Sequence, residues 1–171
     1  SNVVGTYNKE SREHILHIRI ATQMLLRKLV EKTDAYPLTE SDITLIATAS
    51  SLHDIGKVGI SKEILNKPTT LTDEEFEIMK SHTLIGAKMI HSMEYPKDHP
   101  LIQTAYEICR WHHERFDGKG YPDGLVGNEI PISAQVVSIA DVFDALTSTR
   151  VYKDAFDYKT AIQMILDGKC G

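Results

Sequence analysis

Apolar residues return along this chain at intervals of three and four and nowhere alternate over a convincing length, which restricts it to packed helices. Ile15, Ile18, Leu25, Leu26, Leu29 and Val30 lay such a stripe along a long amphipathic helix over 11–31, and Pro37 interrupts the pattern. Thr39 and Asp42 have the form of a capping box, opening a helix that runs through Ile43, Ile46 and Ala49 toward His53-Asp54 and stops near Gly56. Thr72 and Glu75 repeat the device before a helix over 76–93. Pro100 suits an early helical position, and the periodicity continues through Leu101, Ala105 and Ile108 to Trp111-His112-His113. Gly118, Gly120, Gly124 and Gly127, four of the ten glycines, fall with Pro122 between Asp117 and Pro131, so that segment is a loop. Ser133 precedes a run with Val136, Val137, Ile139, Val142, Phe143 and Leu146, and Asp157 precedes a last amphipathic piece from Tyr158 to Leu166. The expected architecture is an all-α bundle of about six helices, without repeat, low-complexity tract or interdomain linker.

A length of 171 residues suits a single domain over 1–171. The formal charge of -5 argues against a broad grip on a nucleic-acid polymer or an anionic membrane, although metal ions would supply positive charge locally for a small anionic ligand. The longest uncharged stretches, Ile43 to Leu52 and Ile130 to Ala140, are about half of the ~20 residues a spanning helix needs, so no membrane insertion is expected. Only Cys109 and Cys170 are present and they lack CxxC spacing, which points to a reducing cytoplasm rather than a disulfide framework or zinc ribbon. Ser1-Asn2 reads as a cloning remnant and the abrupt end at Gly171 as the edge of an excised domain.

Chemistry concentrates in the histidines, of which there are eight. Glu10 and His14 are four apart and share a helix face; His53-Asp54 ends the second helix; His82 lies inside the third; His112-His113 close the fourth; Asp141 sits in an otherwise apolar stretch of the fifth. Taken singly, each is ordinary: a lone histidine on an apolar face is more often a hydrogen-bonded core residue, as expected of His17, His91 and His99, and Glu10 alone suits a solvated first turn. Asp141 between Ala140 and Val142-Phe143 is costlier to explain without a partner. Burying an apolar face of every helix brings these groups together, and divalent ions satisfy imidazole and carboxylate at once. Glu10, Asp54 and Asp141 carry three negative charges against +4 from two ions or +6 from three, leaving a net positive site suited to a phosphate ester.

His53-Asp54-Ile55-Gly56-Lys57 resembles the signature of the HD-superfamily metal-dependent phosphohydrolases. The string from His112-His113-Glu114 through Asp117-Gly118-Lys119 to Gly120-Tyr121-Pro122 resembles the HD-GYP subgroup, as does the segment 139–148 around Asp141; the similarity runs from about Glu10 to Tyr158. The resemblance implies a single-domain HD-type helical bundle with a glycine-rich Gly-Tyr-Pro loop, and hydrolysis of the bacterial second messenger cyclic di-GMP to pGpG and onward to GMP. It implies metal ligation by Glu10, His14, His53, Asp54, His82, His112, His113 and Asp141, with Asp54 bridging two ions and Lys57 steadying charge on the transferring phosphoryl group. Arg150 and Lys153 fall where family members contact substrate phosphate. The cofactor set is two or three divalent ions, iron or manganese first, with zinc, nickel and magnesium as alternatives.

Gly120, Tyr121 and Pro122 are expected either to shape the rim of the site or to dock a diguanylate cyclase or adaptor. The sequence departs from the subgroup at His17, where arginine is frequent, and at its end, where the usual terminal helix is missing. A regulatory domain is expected beside this unit in a longer protein. Two alternatives stand: an HD phosphohydrolase acting on another nucleotide or phosphodiester, and a module that binds nucleotide or a cyclase without hydrolysis.

Overall fold

The computed structural model describes residues 12–148 and 155–170. Eight α-helices occur among them: α1 (Arg12–Lys32), α2 (Glu40–Ala49), α3 (Lys62–Leu65), α4 (Asp73–Lys80), α5 (His82–His91), α6 (Pro100–Trp111), α7 (Ile132–Thr147) and α8 (Tyr158–Leu166). Short 3₁₀ segments cover Ser50–Leu52, Ile55–Gly59 and Gly127–Glu129. The described residues form no strand, and their one β-bridge joins Asp117 to Val126 inside the long loop. The all-α expectation holds.

Local chemistry fixes most helix starts. Asp42 N–H donates to Thr39 Oγ1 while Thr39 N–H donates to Asp42 Oδ2, and Thr72 with Glu75 does the same at α4. Pro100 is the first residue of α6, and Asp157 accepts the Thr160 N–H at the start of α8.

Packing then orders the helices. α1 lies against α2 and α7, and α6 contacts α2, α5 and α7, so α6 crosses the middle of the bundle. Ile18 and Leu26 from α1, Ile43 and Ile46 from α2, Ile90 from α5, Ile108 from α6 and Val137 from α7 meet in one buried cluster. The strip of α1 that is buried, Ile18, Thr22 and Leu26, is narrower than its apolar pattern, since Leu25 is exposed.

Three boundaries and one short helix differ from the sequence expectation. The helix toward His53 stops at Ala49, where Ser50 Oγ donates to Ala47 O and the chain tightens into 3₁₀ turns, with His53 N–H on Ser50 O. The helix expected over 76–93 is divided at Ser81, whose N–H and hydroxyl both bond Ile78 O, a three-residue step that turns α5 away from α4. α7 begins at Ile132 after Pro131, so Ser133 lies inside the helix, and its hydroxyl donates to Glu107. The short α3, capped by Ser61, has no apolar period long enough to announce it.

The 3₁₀ segment Ile55–Gly59 rests directly on α5. A Cβ on Gly56 would come within 1.9 Å of His82 O and 2.4 Å of Gly86 N, so only glycine permits this backbone-to-backbone approach. Gly56→Ala is therefore expected to lower stability by about 1–3 kcal/mol or more, read as a reduced urea midpoint, because the clash is with backbone that has no rotamer to yield.

Candidate metal centre

Asp54 is buried where α2's trailing 3₁₀ turns give way to the segment carrying Lys57, and the Lys57 ammonium lies three residues on, paired with Asp54 Oδ2. Three imidazoles surround this carboxylate. His53 Nε2 is 3.2 Å from Oδ2, His82 Nε2 is 3.2 Å from Oδ1, and His112 Nε2 is 3.7 Å from Oδ1. His82 is the first residue of α5 and His112 the C-cap of α6, so two helix ends and a 3₁₀ turn converge on one acid.

The outer nitrogens explain the orientation. His53 Nδ1 bonds Ser50 O at 2.9 Å, His82 Nδ1 bonds Met79 O at 2.7 Å, and His112 Nδ1 bonds Ile108 O at 2.8 Å. A carbonyl only accepts, so each Nδ1 carries the hydrogen, and in the neutral ring each Nε2 presents a lone pair to Asp54. Nε2 of His82, Nε2 of His112 and Oδ1 of Asp54 have no hydrogen-bonding partner among the described residues. Buried acceptors facing one another are costly, and a cation is the partner that satisfies all of them.

His113 extends the group: its ring centre is 4.1 Å from that of His112 and 5.1 Å from that of His82, and Tyr121 stacks on it at 4.8 Å. His14, from α1, stands 5.5 Å from the His53 ring, with Nε2 3.9 Å from Asp141 Oδ1. Two sets of ligand atoms result, each within 4.8 Å: Asp54, His82, His112 and His113 in one, and His14, His53 and Asp54 in the other. Asp54 belongs to both.

Electrostatics keep Asp54, His112 and His113 in ligating form. Burial opposes ionisation of Asp54, but the Lys57 ammonium first, and then the adjacent His53 and His112, outweigh it and hold the carboxyl well below the usual range. Burial pushes the His112 and His113 pKa values down, His113 the further, with neighbouring imidazoles adding to the effect.

Of the residues singled out from sequence, His14, His53, Asp54, His82, His112 and His113 come together in two sets that share Asp54, and Lys57 pairs with Asp54. Asp141 flanks His14 but lies outside both sets. Glu10, Arg150 and Lys153 lie outside the described residues. His99 accepts the Leu101 N–H at the start of α6 and the His91 ring packs against Tyr106, both away from the centre, but these two and His17 are exposed rather than core residues.

Two carboxylates escaped sequence reasoning. Glu114, directly after His112-His113, is buried and accepts N–H bonds from Asp123, Gly124 and Leu125 at 2.7–3.1 Å, so the Gly-Tyr-Pro loop folds around it. A Cβ on Gly120 would lie 2.3 Å from Arg115 N, which presses the loop onto the end of α6 and sets Tyr121 against His113. Asp144 bonds His14 and His17; its spacing of three from Asp141 on one helix was the available signal.

Residues 5–169 match the model of the HD domain. The chain belongs to the HD-domain family. Its His53-Asp54 pair and its Gly120-Tyr121-Pro122 string place it in the HD-GYP subgroup. It is 42% identical, over 98% of its length and 35% of the relative's, to a cyclic di-GMP phosphodiesterase of Vibrio cholerae. It is 48% identical, over 77% of its length and 35% of the relative's, to a cyclic di-GMP phosphodiesterase of Thermotoga maritima. A 3'3'-cGAMP-specific phosphodiesterase of Vibrio cholerae is 39% identical over 90% of this chain and 27% of its own length. The chain thus spans about a third of the length of the curated relatives it matches. HD-domain phosphohydrolases are metal-dependent, and this His/Asp cluster has the donors for divalent ions.

The depressed histidine pKa values carry a sign. Below the ordinary value of 6.5 the unfolded chain protonates His112 and His113 while the folded chain resists, so the metal-free domain loses stability as pH falls. Urea titrations in chelator from pH 8 to 5 are expected to show a decline of up to about 1.4 kcal/mol per pH unit for each of the two rings. A flat profile contradicts their buried, neutral state.

Proposed function

We propose that this chain is the catalytic domain of a metal-dependent phosphodiesterase that opens cyclic di-GMP to linear pGpG and continues to GMP. The observation that carries the reading is the set of imidazole lone pairs trained on a buried carboxylate that two ligand sets share. His14, His53, Asp54, His82, His112 and His113, with Glu10 and Asp141, would hold two or three divalent ions, iron or manganese first and zinc, nickel or magnesium as alternatives. When bound, such ions supply Lewis-acid charge for a phosphoryl oxygen and lower the pKa of water.

The protein's own groups divide the remaining work. Lys57 neutralises Asp54 and, being partly exposed, offers its ammonium to charge that develops on the phosphoryl group. Arg150 and Lys153 take the role of phosphate clamps, the arginine by its bidentate fork. Gly120, Tyr121 and Pro122 line the rim, where the Lys80 ammonium lies over the Phe76 and Tyr121 rings at 5.3 and 5.7 Å and adds positive potential for an anion. The same loop is the candidate docking face for a diguanylate cyclase or adaptor.

A single catalytic domain over 1–171 beside a regulatory domain in a longer protein fits the share of each relative that it spans. No helix among the described residues is long and apolar enough to cross a membrane. Cys109 and Cys170 are free thiols, which suits the cytoplasm.

A second reading has a specific basis: the 39%-identical relative named for 3'3'-cGAMP makes another cyclic dinucleotide the rival substrate. Purified protein loaded with manganese or iron and given each dinucleotide is expected to turn over cyclic di-GMP faster, with pGpG appearing first in chromatographic traces. Preference for 3'3'-cGAMP selects the rival, and tight calorimetric binding without turnover selects a non-hydrolysing module. Asp54→Ala removes the acid common to both ligand sets and is expected to abolish metal retention and cut turnover by at least about 10³-fold, since Lewis-acid stabilisation amounts to several kcal/mol.

A further inference from the structure

We infer that Asp144 is the positioning residue of the ion set nearest α1, fixing the His14 ring by hydrogen bond so that Nε2 faces the centre. The inference rests on the metal-site reading above. Asp141 and Asp144 are three apart on α7, His14 and His17 three apart on α1, and the two helices pack together. His14 Nδ1 lies 2.7 Å from Asp144 Oδ2, and His17 Nδ1 lies 2.9 Å from Oδ1.

An ionised carboxylate only accepts, so both rings donate from Nδ1. Burial of Asp144 raises its pKa, but the bonds from His14 and His17 prevail and keep it below the usual range. The Asp144 side chain is only 8% exposed, whereas that of His17 is 57% exposed, so His17 braces the carboxylate from the solvent side.

Both Asp144 oxygens accept imidazole N–H groups, and Asp144 belongs to neither ligand set, so it stands behind His14. The Nε2 of His14 is therefore the atom presented to His53 and Asp54, the other members of its set. The contrast with the other histidines is chemical: His53, His82 and His112 are tied to neutral carbonyls, and His14 to a carboxylate. A carboxylate behind an imidazole fixes its tautomer and makes it the stronger electron donor, and loss of such a partner commonly costs 10- to 100-fold in metal affinity.

The division into two ligand sets makes the test selective. Manganese is titrated into the wild-type chain, Asp144→Asn and Asp144→Ala by calorimetry, and ¹⁵N spectra of the metal-free proteins report the His14 tautomer. Wild-type His14 is expected as the Nδ1–H form. Asp144→Asn, which keeps the shape without the charge, is expected to weaken one ion by about 10-fold, and Asp144→Ala by up to about 100-fold. The ion held by Asp54, His82, His112 and His113 should stay at wild-type affinity in both variants. Unchanged affinity for both ions, a parallel loss of both, or an Nε2–H form of His14 in the wild type overturns the inference. A wild-type chain that retains no ion overturns the metal-site reading itself, a separate and recognisable result.

Discussion

One buried carboxylate organises this molecule. Asp54 is taken out of water beside a single ammonium, and three imidazoles present their Nε2 atoms to it at 3.2, 3.2 and 3.7 Å. Lys57 balances one negative charge but cannot satisfy the imidazole lone pairs, which face an acceptor across too short a gap to admit a neutral filler. The scaffold holds an arrangement that is unfavourable alone and favourable around cations, the signature of a preorganised site rather than of a core that merely tolerates polar residues.

The scaffold achieves this by spending backbone carbonyls. Ser50, Met79 and Ile108 each lie three or four residues before the histidine they bond, near a helix end or 3₁₀ turn, and the Ser50 and Ile108 carbonyls also accept the backbone N–H of His53 and His112. The irregular joints at 49–59 and at Ser81 set His53 after a 3₁₀ turn and His82 at the first residue of α5, where both rings face Asp54. Gly56 lets the Asp54 segment close onto α5, and Glu114 wraps the Gly-Tyr-Pro loop so that Tyr121 stacks on His113. The loop is a wall of the centre as well as an outer surface.

Much of this was legible in the residues themselves. The capping pairs Thr39/Asp42 and Thr72/Glu75 mark helix starts by purely local hydrogen bonds, and the apolar spacing identifies the helices that bury a face. His53-Asp54 and His112-His113 were legible as an ordered set because neighbouring residues on different helices share one chemistry. The break at Ser81, the 3₁₀ turns after Ala49 and the first residue of α7 were not, because apolar periodicity is nearly the same on either side of each. Asp144 was passed over because its histidine partners are 127 and 130 residues away in sequence.

The amino-acid order by itself determined that the chain is helical, where most of its helices begin, and which histidines and acids are candidates for one centre, since caps and stripes depend on residues within a turn or two of each other. Tertiary structure alone decided that Asp141 flanks His14 outside both ligand sets, that Glu114 is the pivot of the loop, and that Asp144 stands behind His14. Those relations depend on distances between helices, and helix-to-helix distance is set by how side chains from several elements fill one core rather than by any local preference.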